Sequence, residues 1–127
     1  MSIAGKILAL ALAGAVGTLA RYFMASWVQN LTGSDFPWST WGVNILGCFL
    51  FGLVWTLCEE RAYFSSEIRF IILVGFMGAF TTFSTYIFET AQLARNAEWL
   101  RLAANLAGQN VLGFTGLLLG MALGRGV

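Results

Sequence analysis

Gly75-Phe76-Met77-Gly78-Ala79-Phe80-Thr81-Thr82-Phe83-Ser84-Thr85-Tyr86-Ile87-Phe88-Glu89 is an apolar, aromatic run in which hydroxyl side chains gather behind a glycine. It lies inside a longer stretch, about 68–94, that is uncharged between Arg69 and Glu89. Roughly 20 mostly apolar residues in a helix cross the hydrocarbon core of a bilayer, so this stretch reads as a membrane span. Three others qualify, at about 3–28, 40–58 and 100–123. Lys6 and Arg21 sit towards the ends of the first, the second holds no charge, and the last is uncharged after Arg101. These spans use up most of the 127 residues and leave short loops. The expectation is an all-α membrane protein, residues 1–127 forming a single domain of four transmembrane helices.

Composition excludes the alternatives. Charged residues are 10% of the chain and hydrophobic residues 58%, whereas a soluble domain carries about 25% charge. So small a chain exposes much of its surface, and this one could not keep that surface wet. The net charge of +1 supplies no basic excess, so nucleic acid is not an expected partner. With no histidine, the usual proton shuttle and commonest metal ligand are missing. No nucleophile–base pair or cofactor motif is present either, which argues against an enzyme. The Ala-rich run after Lys6 resembles a signal peptide, but its apolar stretch continues to Val28, long enough to span.

Four spans put both termini and the loop between the second and third on one side. That side holds Lys6, Arg61, Arg69 and Arg125, against Arg21, Arg95 and Arg101 on the other. The difference is almost no bias under the positive-inside rule. Two explanations stand: a few charges decide the orientation, or the chain inserts both ways and assembles as an antiparallel homodimer. One such chain can hardly enclose a polar path and shield it from lipid, so self-association is expected. Gly116, Gly120 and Gly124, with Gly14, Gly17, Gly42, Gly47 and Gly52, mark points of close helix approach. Cys48 and Cys58 read as small apolar fillers. Trp27, Trp38, Trp41 and Trp99 fall near span ends, the position of an interfacial belt.

Thr and Ser compete for local backbone bonds and Gly is a weak helix former, so two readings of the third span stand. In one, the helix breaks near Gly78–Thr82, and freed carbonyls from two facing copies point at one cation. In the other, the span is continuous and its hydroxyls bond their own preceding turn. Phe83, Tyr86 and Glu89 follow at intervals of three, along one stripe shared with Ser84 and Thr85. Asn44 in the second span and Gln109, Asn110 and Thr115 in the fourth add neutral polar groups. Such groups face a bundle interior or a wet cavity, and neutral N–H donors suit an anion that must pass without sticking.

The sequence resembles the small bacterial fluoride channels of the Fluc family over nearly its whole length. Gly75 to Thr85 is similar to that family's G-F-x-G-G-x-T-T-F-S-T-F signature. Gly17-Thr18-Leu19-Ala20-Arg21, Thr40, Val43-Asn44-Ile45-Leu46-Gly47 and the Gly113…Gly120 frame are supporting matches. The resemblance implies an antiparallel, dual-topology homodimer in the cytoplasmic (inner) membrane, with two pores that export fluoride passively. It also implies a structural Na+ at the dimer centre, held by the backbone carbonyls of Gly78 and Thr81. Carried over by position, the fluoride pathway comprises Thr40, Asn44, Phe83, Ser84, Thr85, Tyr86, Glu89 and Asn110. Four departures stand out: Ala79 for a glycine, Tyr86 for a phenylalanine, Ile87 for a serine, and Phe114 where relatives often carry serine.

Fluoride is tightly hydrated, and an isolated ion in a low-dielectric medium costs tens of kcal/mol. A conducting route needs many modest donors and no deep trap. Amides, hydroxyls and the positive rim of Phe83 answer that description. Arg21 reads as a vestibule or structural charge snorkelling to water. Glu89 stays open between a protonated, a paired and a hydroxyl-bonded state. Two rivals share the four-span plan. A proton-coupled small multidrug transporter would need an acidic residue in the first span, which has none. A non-transporting packing subunit fits the glycines and leaves the donor-rich third span unexplained.

Overall fold

The computed structural model describes residues 1–127. Helices α1 (Ile3–Thr32) and α2 (Trp38–Glu59) are followed by α3 (Ser66–Phe70), a π-helical stretch Ile71–Met77, α4 (Gly78–Phe80), α5 (Phe83–Arg95) and α6 (Trp99–Gly126). There are no strands. The pieces from Ser66 to Arg95 form one bent span, so four helices of 30, 22, 30 and 28 residues are long and apolar enough to cross a membrane. At about 1.5 Å per residue even the shortest exceeds the hydrocarbon thickness.

Local sequence accounts for the helix ends. Ser2 caps α1 by accepting from the Gly5 amide at 3.1 Å. Gly33 closes it in the left-handed region at φ 54°, its amide bonding back to Gln29 O at 2.8 Å. Ala97 takes a similar φ of 56° after α5, and the Glu98 amide reaches back to Leu93 O at 2.9 Å. The π stretch was not anticipated. Its β-branched Ile71, Ile72 and Val74 and its Gly75 hold the tighter α ladder weakly. The wider turn lets α1 press against its backbone, where a Cβ on Gly17 would collide with Phe76 O and one on Gly75 would lie 2.9 Å from Ala13 Cβ.

The Gly113, Gly116, Gly120 and Gly124 face of α6 is buried within the chain, against α2. A Cβ on Gly120 would strike Phe49 O and lie 2.9 Å from Leu53 N; one on Gly124 would lie 2.9 Å from Thr56 Cβ. The same seam seen from α2 has Gly52 against Leu117 O. The series thus joins two helices of the same chain. Outward-facing side chains are apolar along most of α1: Leu8, Leu12, Val16, Leu19, Phe23 and Trp27 are all exposed. That surface suits lipid as its solvent.

Trp41 departs from the belt reading. Its indole turns inward to Asn105, and its ring packs on Phe36 and Trp38 with centroids 5.7 and 5.2 Å away. Trp27, Trp38 and Trp99 remain exposed. Charges gather at the helix ends. Lys6 pairs with Glu67 at 3.6 Å, Arg69 with Glu59, and Arg125 with Glu60, while Arg61 caps the last carbonyls of α6 at Gly124 and Arg125. Two 2.9 Å bonds from Arg125 hold the Glu60 carboxyl below the usual carboxylate range.

Gly120→Ala is expected to destabilise the fold by about 1–3 kcal/mol through overpacking. Gly126→Ala, with nothing within 4 Å of the added carbon, leaves it unchanged. The melting temperature of the detergent-solubilised protein checks both.

Candidate functional site

The third span opens at Thr81 and Thr82, which are extended at φ/ψ of −86°/160° and −147°/116°. Two ordinary helix devices bound the gap. The Thr81 amide and hydroxyl both bond Met77 O, at 3.1 and 2.9 Å, and so finish the incoming turn. The Thr82 hydroxyl accepts from the Thr85 amide at 3.2 Å and starts α5. The span is therefore broken within the Gly78–Thr82 region, and the continuous alternative is not adopted.

A peptide group freed at this depth must find a partner inside the protein. Asn44 of α2 supplies it. Its Nδ2 donates to Thr82 O at 3.0 Å and its Oδ1 accepts from the Thr82 amide at 2.8 Å, as a neighbouring strand would. The second Nδ2 hydrogen goes to Gln109 Oε1 at 2.9 Å. Gln109 Nε2 donates to Asn105 Oδ1 at 3.0 Å, Asn105 Nδ2 to the Thr90 hydroxyl at 2.9 Å, and that hydroxyl to Tyr86 O at 2.8 Å. The Trp41 indole donates to Asn105 Oδ1 at 2.8 Å.

The break divides the polar residues between two clefts. One, of about 360 Å3, is lined by Asn44, Thr81, Thr82, Phe83, Tyr86, Gln109 and Asn110, with Cys48 among its apolar neighbours. The other, of about 390 Å3, is lined by Thr18, Arg21, Ser26, Ser39, Thr40, Thr82 and Thr85. Thr82 belongs to both. Arg21 has no carboxylate within ion-pair distance, and the groups sharing its cleft are largely hydroxyls.

Phe83 and Tyr86 do not share an environment. Their centroids are 5.8 Å apart, yet Phe83 is 74% exposed and Tyr86 6%. The Tyr86 hydroxyl accepts from Asn110 Nδ2 at 2.9 Å and donates towards Leu106 O at 3.4 Å, so the group extra to phenylalanine is committed within the bundle. Asn110 spends its other hydrogen on Leu106 O at 2.7 Å. Ser84 is exposed, and Thr85 accepts from the Thr82 hydroxyl at 3.0 Å. Of the states left open for Glu89, the structure takes the hydroxyl-bonded one: Oε1 accepts from Thr40 at 2.8 Å, while Oε2 is shielded without a partner. Glu89 also borders a smaller acidic cleft with Asp35 and Glu98.

Residues 8–121 match the family described as CrcB-like protein, Camphor Resistance (CrcB). The chain belongs to the CrcB family. Among its relatives, a protein of Nitrosococcus oceani is 57% identical over 120 residues, 94% of this chain and 96% of its own. One from Solidesulfovibrio magneticus is 57% identical over 116 residues, covering 91% and 93%. A third, from Desulforapulum autotrophicum, is 54% identical over 120 residues, covering 94% and 96%. Each of these relatives is named "Fluoride-specific ion channel FluC".

In this CrcB-family chain the gap also frees carbonyl oxygens. The Thr82 amide, which would bond Gly78 O in a continuous helix, is held by Asn44 instead. Thr81 O accepts no hydrogen bond from the chain. Sequence reasoning missed Asn105 and Thr90 as members of the polar interior, although the four-residue spacing of Asn105 and Gln109 puts both amides on one helix face. Asn105 is fully buried. Thr115 bonds its own turn at Val111 O and stays apart from the clefts.

Removing the Asn44 amide leaves both polar groups of Thr82 unpaired. Asn44→Ala is expected to cost at least about 2 kcal/mol, against about 1 kcal/mol for Asn110→Ala at an exposed position. Thermal unfolding in detergent measures the difference.

Proposed function

We propose that this chain forms a fluoride-selective channel of the cytoplasmic membrane, passing fluoride outwards passively and so lowering its concentration in the cell. The observation that carries the reading is a broken span with neutral hydrogen-bonding groups on both sides of Thr82, in a chain whose relatives are named fluoride-specific channels. A bare anion in a low-dielectric interior costs tens of kcal/mol, and amide and hydroxyl donors offset that loss without a fixed positive charge that would trap the ion. Arg21 is the vestibule cation that draws anions to the cleft it lines. From there the route runs past Thr40, Thr85 and Thr82 to Asn44, Ser84, Tyr86 and Asn110. Phe83 turns the positive rim of its ring towards the ion. Glu89, tied to Thr40, fixes the hydroxyl at the edge of the path.

The working unit is an antiparallel homodimer with two pores. The polar cleft at which Phe83 lies and the exposed hydroxyl of Ser84 at the start of α5 support it, because polar groups at that depth call for a second protein surface rather than acyl tails. A central Na+ would be held by the carbonyls of Gly78 and Thr81. The residues fit it: Thr81 O has no donor, the ladder donor of Gly78 O is diverted, and nothing lies within 4 Å of a Cβ built on Gly78. Oxygen ligands suit a hard cation. Its charge would offset the partial negative charge of those carbonyl oxygens.

Fluoride efflux from proteoliposomes tests the reading. Fluoride is expected to leave at least about a hundredfold faster than chloride, the ratio that a few kcal/mol of selective desolvation gives. Equal rates would remove the selective-channel claim. Phe83→Ile is expected to cut the flux at least about tenfold while cross-linked dimers still form. Replacing Na+ with a large organic cation should weaken assembly, read as dimer dissociation in detergent; indifference to Na+ would count against the central ion.

A further inference from the structure

The geometry points to Gln109 as a positioning residue that competes with the permeant anion for the Asn44 amide, and so keeps Asn44 from becoming a deep trap. The inference rests on the fluoride-channel reading. Asn44 has two amide hydrogens, and both are committed: one to Thr82 O, the other to Gln109 Oε1 at 2.9 Å. An ion arriving in the cleft that Asn44, Gln109, Phe83 and Tyr86 line gains an Asn44 donor by displacing one of those acceptors. Thr82 O is the harder of the two to displace. It belongs to a two-bond bridge that closes the helix break, and releasing it strands a peptide carbonyl. The Gln109 bond is single, and its acceptor lines the cleft. The exchange is therefore one acceptor for another: the ion takes the hydrogen from Gln109 on arrival and returns it on leaving.

The orientation that this exchange needs is enforced from the far end of the chain of amides. An indole N–H can only donate, so Trp41 fixes the oxygen of Asn105 towards itself at 2.8 Å. That oxygen also receives Gln109 Nε2 at 3.0 Å, which leaves the Gln109 oxygen to face Asn44. Asn105 is fully buried, its Nδ2 is spent on Thr90, and Gln109 is 7% exposed, so an amide flip would set N–H against N–H with no water to relieve it. No charged side chain takes part. The acceptor opposing the ion is thus a neutral oxygen of fixed direction, weak enough to be displaced.

Substitutions at Gln109 separate this role from a packing role because two of them pull in opposite directions. Initial fluoride efflux from proteoliposomes holding the full chain is measured against fluoride concentration. Gln109→Leu removes the competitor, and the half-saturating concentration is expected to fall about fivefold, near the worth of one net hydrogen bond, with a lower maximal rate as release slows. Gln109→Glu keeps an oxygen facing Asn44 and strengthens it, so the half-saturating concentration is expected to rise. Trp41→Phe frees the Asn105 amide to flip and shifts the value in the leucine direction by a smaller factor. As a second measurement, the Asn44 side-chain amide resonance in protein carrying 15N-asparagine should move on titration with sodium fluoride, and at lower fluoride in Gln109→Leu. Leucine and glutamate shifting saturation the same way, or an Asn44 resonance indifferent to fluoride, would overturn the assignment. Absence of fluoride flux from the unaltered protein would instead remove the channel reading, and this inference with it.

Discussion

A peptide group left open in the middle of an apolar span is the constraint around which this chain is arranged. Water at the surface of a soluble protein would satisfy Thr82. At bilayer depth a protein group must do so, and the Asn44 amide is shaped for it, offering an acceptor to the N–H and a donor to the C=O. The two bonds make α2 the fixed reference for the third span. They also set the distance at which α5 restarts, and hence where Phe83, Tyr86 and Glu89 come to lie. Loss of that bridge would leave the span free to close into a continuous helix.

Two packing seams hold the bridge in register. On one side, α6 lies against α2 so closely that Gly52 and Gly120 each face the other helix's backbone without room for a methyl group. That contact brings Asn105 and Gln109 behind Asn44. On the other side, α1 leans on the π stretch through Gly17 and Gly75, where a wider turn exposes carbonyl oxygen to close approach. Dispersion contacts of this kind replace the hydrophobic effect, which provides little drive between helices already in lipid. Polar groups then follow the geometry that the glycines permit. The interior amides form one connected chain, while the ion pairs stay at the helix ends, where water shares their charge.

Neutral donors on either side of Thr82 give the family membership a physical meaning. Each cleft offers hydroxyls or amides, and the one cation bordering them, Arg21, stands at the hydroxyl-lined mouth. In the cleft that Asn44, Gln109 and Asn110 line, the amide donors are engaged with protein oxygens. Cys48 and Cys58 take no part in these bonds and serve as packing groups.

Four spans and their order were legible in the residues, because bilayer thickness acts on composition; local propensity marked the stretch after Gly78 as weak and left open whether the helix breaks there. The family was legible as well, and the Gly75–Thr85 run carries it almost unaided. Partners across the bundle were not legible. Nothing in the spacing of Phe83 and Tyr86 separates an exposed ring from a buried one, and a tryptophan three residues into a span looks like an interfacial anchor until Asn105 is found opposite its N–H. The GxxxG series in α6 could equally have faced a second chain. Those outcomes depend on helix rotation, which is set by pairwise fit between surfaces far apart in sequence, and that fit exists only once the four spans are packed.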